Sequence, residues 1–194
     1  MIKTAQVEHE VHEFIKNRWS PRSFDDKRIE KETILSLFEA ARWAASAYNE
    51  QPWRFVYATK DNRENYNKLL ECVNENNRVW IATAPLLILT VIKNDMVRDN
   101  KPNRCAMHDL GLATGNIMAE AMSLDLYVHV ISGFDSEKAC TLFNISSAYS
   151  PVTMITVGYL GKPDALPEKF KAPETSPRTR KKIEEFAFEG IFKA

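Results

Sequence analysis

The sequence predicts an α+β domain, and three observations carry that prediction. Segments of helical period are interspersed with three or four short apolar or β-branched runs, the runs show no strict strand–helix–strand alternation, and one mid-chain helix is apolar around most of its circumference. With 194 residues and a hydrophobic fraction of 44%, one domain can bury its own core, whereas two would be cramped. No repeat, low-complexity block or domain boundary interrupts the chain, so residues 1–194 read as a single unit.

Val7, Val11, Phe14, Ile15 and Arg18 recur at helical spacing and predict an N-terminal helix that delivers Arg18 at its end. Pro21 forces an extended turn from Trp19 to Phe24. Ile34, Leu37, Phe38, Ala41, Ala44 and Ala45 predict a second helix, stopped by the polar loop Ser46-Ala47-Tyr48-Asn49-Glu50-Gln51-Pro52. Trp53 to Thr59 is aromatic and β-branched, hence a strand. Arg63 to Ala82 reads as helical with a break at Asn74 to Asn77, and Pro85 to Ile92 as a strand buried on both faces. Ala106 to Leu124 is the apolar helix; Gly111 and Gly115, four apart, let another backbone approach closely, which in so small a protein suits a subunit interface.

Tyr127 to Ile131 predicts a strand ending at Ser132-Gly133-Phe134, followed by a short helix capped by Ser136 and running to about Phe143. Val152 to Val157 is a further strand, ended by Gly158. From Gly161 to Pro177, four prolines (Pro163, Pro167, Pro173, Pro177) predict a structureless connection, read as an arm across another subunit. Ser176-Pro177 then opens a helix from Arg178 to about Glu189.

Lysine plus arginine equals aspartate plus glutamate at 26 each, so no global field recruits nucleic acid or an anionic membrane. Cys72, Cys105 and Cys140 form no CxxC, which argues against a disulfide or zinc framework and for a reducing, cytoplasmic setting. The polar N-terminus lacks a signal-peptide stretch, and His108, Asp109, Asn116 and Glu120 interrupt the longest apolar tract, so neither export nor a membrane span is expected.

Four places could carry chemistry. Arg18-Trp19-Ser20-Pro21-Arg22-Ser23-Phe24 gathers two guanidiniums and two hydroxyls on one turn, a set that matches phosphate oxygens; the alternative is an ordinary polar turn with solvated arginines. Arg178-Thr179-Arg180-Lys181-Lys182 places positive charge at a predicted helix start, where the macrodipole disfavours it and an anion would relieve it; a solvated basic face is the alternative. Ser46, Asn49 and Gln51 offer a hydroxyl and two carboxamides that suit a heteroaromatic edge, or an Asx-type turn. Ile131-Ser132-Gly133-Phe134 is a strand end where glycine brings backbone N–H groups close to a ligand, or a plain turn. His9 with His12 lacks a third metal ligand, and His108 and Asp109, adjacent rather than facing, each read as a hydrogen-bonded core group rather than a catalyst. No GxGxxG, GxxxxGK[ST] or GxSxG motif is present.

In combination these places resemble the nitroreductase family. The resemblance rests on Arg-x-Ser-x-Arg-x-Phe from Arg18, Ala-Ala-Arg-Trp-Ala followed by Ser-x-x-Asn-x-Gln-Pro-Trp, the Asp109 to Asn116 helix, the Gly133-Phe134 strand end and the terminal Arg-x-Arg, and runs from about Phe14 onward. It implies a central, mostly antiparallel sheet flanked by helices, in an intertwined homodimer with residues 161–194 as an arm across the partner. It implies FMN as cofactor and NADH or NADPH as donor, hydride passing through flavin N5 to a nitroaromatic, quinone, enone or free flavin by a ping-pong mechanism, with no catalytic side chain. By the same resemblance Arg18, Ser20, Arg22, Arg178 and Arg180 hold the phosphate and ribityl chain, flanked by Trp19. Ser46, Asn49 and Gln51, beside Ala45, reach the flavin bound mainly by the other subunit, Ile131, Ser132 and Gly133 face the ring, and Tyr48, Trp19 and Phe134 wall the acceptor pocket. Dehalogenation, flavin fragmentation or flavin sensing without efficient turnover are alternatives on the same fold. Three positions depart from the family pattern: Trp19, Ala45 where proline is common, and Ser132 where glutamate is known, which bears on acceptor preference.

Overall fold

In the computed structural model, which describes residues 3–193, the strands form one antiparallel sheet of order β1-β2-β4-β3. They are β1 (Trp53–Thr59), β2 (Leu86–Lys93), β3 (Tyr127–Ile131) and β4 (Tyr149–Gly158). β2 lies between β1 and β4 and is packed on both faces, so every residue but Lys93 is buried; an alternating pattern would have left half of it wet. Leu87, Leu89 and Val91 join one core with Leu69, Trp80, Ile81 and Met154, while Leu86, Ile88 and Ile92 join a second with Leu37, Leu110, Ala113, Ile117 and Ile155. The ladder slips at Thr90/Val91, and there the buried Thr90 hydroxyl accepts from Thr153 N and donates to Thr153 O, both at 3.0 Å.

Helices α2 (Lys31–Arg42) and α5 (Ala106–Ser123) cover the second core; α3 (Arg63–Cys72), α4 (Glu75–Ile81) and α6 (Ser136–Leu142) cover the first. The α3–α4 break falls at Val73-Asn74, as the asparagine cluster predicts. Asp135, one residue before the expected Ser136, caps α6 by accepting from Lys138 N at 2.9 Å. α5 buries Leu110, Ala113, Ile117 and Ala121, but Met107, Gly111, Leu112, Gly115 and Ala119 are exposed. Among the described residues no helix is long and apolar enough to cross a membrane.

The ends of the chain differ from expectation in three places. The N-terminal helix α1 is only Glu13–Asn17. His12 Nδ1 caps it by accepting from Phe14 N at 3.2 Å, and Ala5 N donates to Lys16 O at 2.8 Å, so the preceding residues run back alongside α1 instead of extending it. The 161–177 stretch is not structureless: a 3-10 turn occupies Pro163–Ala165, and α7 (Glu168–Thr175) follows. Pro163 opens the turn and Pro167 precedes α7, where a missing N–H costs nothing; Pro173, inside α7, is offset by the anchoring of Glu174. No helix spans Arg178 to Glu189, where only a 3-10 turn forms at Ile183–Glu185. Arg178 Nη1 instead donates to Lys3 O (3.0 Å) and Lys16 O (2.7 Å), which holds this segment in extended form against α1. The extended path also avoids a helix start crowded with cations.

Candidate functional site

The turn after α1 is fixed from below. Trp19 is buried against Tyr127, ring centroids 6.3 Å apart, so its indole, contrary to expectation, belongs to the core rather than to a pocket wall and does not line the arginine cleft. Asp25 N donates to Tyr159 O and Gly161 N to Ser23 O, both at 2.9 Å, and Ser23 Oγ donates to Lys162 O at 2.6 Å. A Cβ at Gly161 would lie 2.6 Å from Ser23 Oγ and 2.7 Å from the Phe24 carbonyl carbon, so only glycine permits this approach.

Above that anchorage the cations assemble. Arg18, Arg178, Arg180, Lys181 and Lys182 line one cleft of about 770 Å³, with Val7, Val11, Ile15, Ile183 and Phe186 as its apolar wall. Arg18 Nη1 lies 3.4 Å from Ser20 Oγ. Burial, then the charges of Arg178 and Arg180, push the Arg18 guanidinium below its ordinary range, and burial followed by Arg180 does the same to Arg178. Among the described residues no carboxylate forms an ion pair with any of these three arginines. Arg22 does not line the cleft; its guanidinium sits 5.8 Å from the ring centroids of both Trp80 and Phe170.

β3 runs beside the same turn. His129 Nδ1 pairs with Pro21 O at 2.8 Å, and its ring lies 4.6 Å from that of Trp80. Burial, and after it the charges of Arg22 and Arg18, lowers the imidazole to about 4, so the folded protein holds it neutral with Nδ1–H donating. The unfolded chain protonates this group near its ordinary 6.5, so stability is undiminished above about pH 6.5 and falls as pH drops toward 4. The expected loss is about 2–3 kcal/mol. His129→Gln should remove that slope from denaturant titrations run between pH 7 and pH 4; an unchanged slope would refute the assignment.

At the end of β3, Ile131 is buried, Ser132 is exposed, and Gly133 is latched to the α3–α4 junction. Asn74 N donates to Gly133 O at 3.3 Å, and a Cβ at Gly133 would meet Asn77 Nδ2 at 2.9 Å and Asn74 Nδ2 at 3.2 Å. Phe134 bridges to Val73. The two carboxamides therefore stand over the strand end, a role hidden in a sequence where they read only as a helix break.

The Ser46–Gln51 loop is a separate, rigid feature. Tyr48, Asn49 and Gln51 have φ of 52°, 57° and 46°, left-handed values that persist in non-glycine residues only where the surroundings over-determine them. Here the buried Asp109 of α5 accepts from Ala47 N at 3.1 Å, Ser46 Oγ accepts from Gln51 N at 3.1 Å, and Gln51 Nε2 donates to Asn49 Oδ1 at 3.1 Å. Glu50 takes Val97 N at 2.6 Å, and the Arg98 guanidinium covers the exposed Tyr48 ring at 4.0 Å. Ala45 is exposed beside this loop. Within the single chain none of Ser46, Asn49 or Gln51 lines the arginine cleft.

The nitroreductase family model matches residues 15–159, which takes in the cationic turn, the strained loop, α5 and the β3 strand end. The chain belongs to the nitroreductase family. Among solved structures, an FMN-containing oxidoreductase superposes with a TM-score of 0.92 at 31% identity, covering 97% of this chain and 96% of its own. A nitroreductase family protein from Clostridium difficile 630 gives 0.72 at 25% identity, with 92% and 97% covered. A Methanothermobacter thermautotrophicus protein named for NADH dehydrogenase/NAD(P)H nitroreductase activity is 28% identical over 154 residues, 77% of each chain. The major NAD(P)H-flavin oxidoreductase of Aliivibrio fischeri is 27% identical over 94 residues, less than half of either protein. Arg178 and Arg180 lie beyond the family match, yet the 0.92 superposition extends over nearly the whole of this chain.

Proposed function

We propose that this nitroreductase-family protein is an FMN-dependent oxidoreductase that takes hydride from NADH or NADPH and delivers it to a small acceptor such as a nitroaromatic, quinone, enone or free flavin. The observation that carries the proposal is the convergence of Arg18, Arg178 and Arg180, brought from the two ends of the chain into one cleft where, although Glu8 also lines it, no carboxylate among the described residues forms an ion pair with them. Arg18 and Arg178 are half-buried and Arg180 is exposed beside them; cations so gathered repel, and a phosphate monoester with nearly two negative charges neutralises them with charge-assisted hydrogen bonds. The donor set therefore fits FMN. When bound, FMN supplies the two-electron chemistry that no side chain here provides.

The chain's own residues bind and orient. Arg18, Arg178 and Arg180 would take the phosphate, Ser20 Oγ a neighbouring oxygen, and Lys181 and Lys182 would deepen the local potential. Arg22, held over Trp80 and Phe170, would join by swinging off those rings. The β3 end, with Ser132 exposed and Asn74 and Asn77 beside it, would face the ring through Ile131, Ser132 and Gly133, close to Phe134. Donor and acceptor would use this face in turn, which gives ping-pong kinetics.

Ser46, Asn49 and Gln51 lie outside their own chain's cleft, so we place them at the site of a second copy, with Tyr48 projecting toward the acceptor. The exposed face of α5 would be the dimer contact. Of residues 161–194, the part left to cross the partner is the end carrying the exposed Ile183, Phe186, Ile191 and Phe192. Three cysteines, all free, suit a cytoplasmic protein. The test is the visible spectrum of the purified protein with and without added FMN. A flavin spectrum with tight uptake supports the reading, and a colourless protein that takes up none overturns it.

A further inference from the structure

The two halves of the cation cluster come from opposite ends of the chain, and one buried carboxylate joins them. Glu174 is only 2% exposed. Its Oε1 accepts from Arg22 N at 2.9 Å and Ser23 N at 3.0 Å, and its Oε2 accepts from Arg22 N at 3.1 Å, across 152 residues of sequence. A carboxylate so deeply placed is costly unless hydrogen-bonded, and packing α7 alone would be served by an apolar side chain. Consecutive backbone N–H groups at a turn are themselves an anion site. With Glu174 occupying those of Arg22 and Ser23, recognition of an anion at the turn is left to side chains. Arg178 follows Glu174 by four residues, just past the end of α7, and Lys3 Nζ ties the neighbouring Pro173 O at 3.2 Å. Glu174 thus ties the end of α7, from which Arg178 and Arg180 follow, to the turn that follows Arg18, while Arg178 is held a second time by the carbonyls of Lys3 and Lys16.

We propose that Glu174 is a positioning residue for phosphate recognition, fixing the spacing between the two arginine groups while touching no ligand itself. This rests on the reading of the arginine cleft as the FMN phosphate site. Two effects of the carboxylate oppose one another: its negative charge repels a nearby phosphate, while its three hydrogen bonds preorganise the cations. Those bonds place the charge on backbone N–H donors, so positioning dominates.

The experiment titrates apo-protein with FMN and with riboflavin, which lacks the phosphate, following flavin fluorescence. Wild type is expected to prefer FMN. Glu174→Gln is isosteric but cannot keep all three contacts, and should weaken FMN by about tenfold or more while leaving riboflavin within about twofold. Should that variant fail to show a cooperative thermal melt, Glu174→Asp, which withdraws the carboxylate by one methylene, is expected to shift FMN in the same direction. Unchanged or tighter FMN binding, or equal weakening of both ligands, would overturn the positioning role. A wild-type protein with no preference for FMN over riboflavin would overturn the phosphate-site reading instead.

Discussion

Replacing Arg18 and Arg180 together with alanine is expected to release FMN while leaving a folded chain. Each guanidinium contributes charge-assisted hydrogen bonds to a phosphate, so the pair should account for roughly a hundredfold or more in affinity. The fold should not suffer in step, because burial and the neighbouring arginine charges already oppose the charged form of Arg18. Removing two like charges relieves that repulsion. The unliganded double variant should therefore melt at or slightly above the temperature of unliganded wild type, while FMN ceases to co-purify and ceases to raise the melting temperature. A variant that kept its full complement of flavin would show that the phosphate lies elsewhere.

Substituting Gly111 and Gly115 on α5 should disrupt the proposed dimer, and the surroundings of the two glycines in the single chain make that prediction sharp. A Cβ built at either position meets nothing within 4 Å. On a monomer, Gly→Ala at an exposed interior helix position should stabilise by about 0.5–1 kcal/mol per site. If the glycines allow a partner helix to approach, added side chains push the two apart, and the sign reverses. Gly111→Leu with Gly115→Leu is expected to be monomeric by light scattering and to have lost flavin, since Ser46, Asn49 and Gln51 would no longer reach a second copy's site. A double variant that stayed dimeric, with wild-type flavin content, would put the contact on another surface.

The sheet was the most legible part of this fold. β1, β2 and β3 fall within a residue or so of the predicted runs, because Trp53–Thr59 and Tyr127–Ile131 are rich in aromatic and β-branched residues and Leu86–Ile92 is apolar but for Thr90. The chain ends were illegible for a common reason: their conformation is set by distant partners. Val7 and Val11 keep helical spacing with Phe14 yet wall a cleft with Ile183 and Phe186, and Arg178 leaves its predicted helix to bind the carbonyls of Lys3 and Lys16. In the candidate site, charge alone marked Arg18, Arg178 and Arg180. Glu174, His129, Asn74 and Asn77 carried no local signal, because each matters only for what the fold brings against it: the amides of Arg22 and Ser23, Pro21 O, and Gly133.

The measurement that bears most directly on the central claim is the visible spectrum of the FMN-loaded protein during anaerobic addition of NADH and then NADPH. Bleaching of the flavin band by at least one nicotinamide, much faster than for free FMN, is the predicted result. A flavin that stays bound and oxidised with both would contradict an NAD(P)H oxidoreductase and leave a flavin-binding protein of other chemistry.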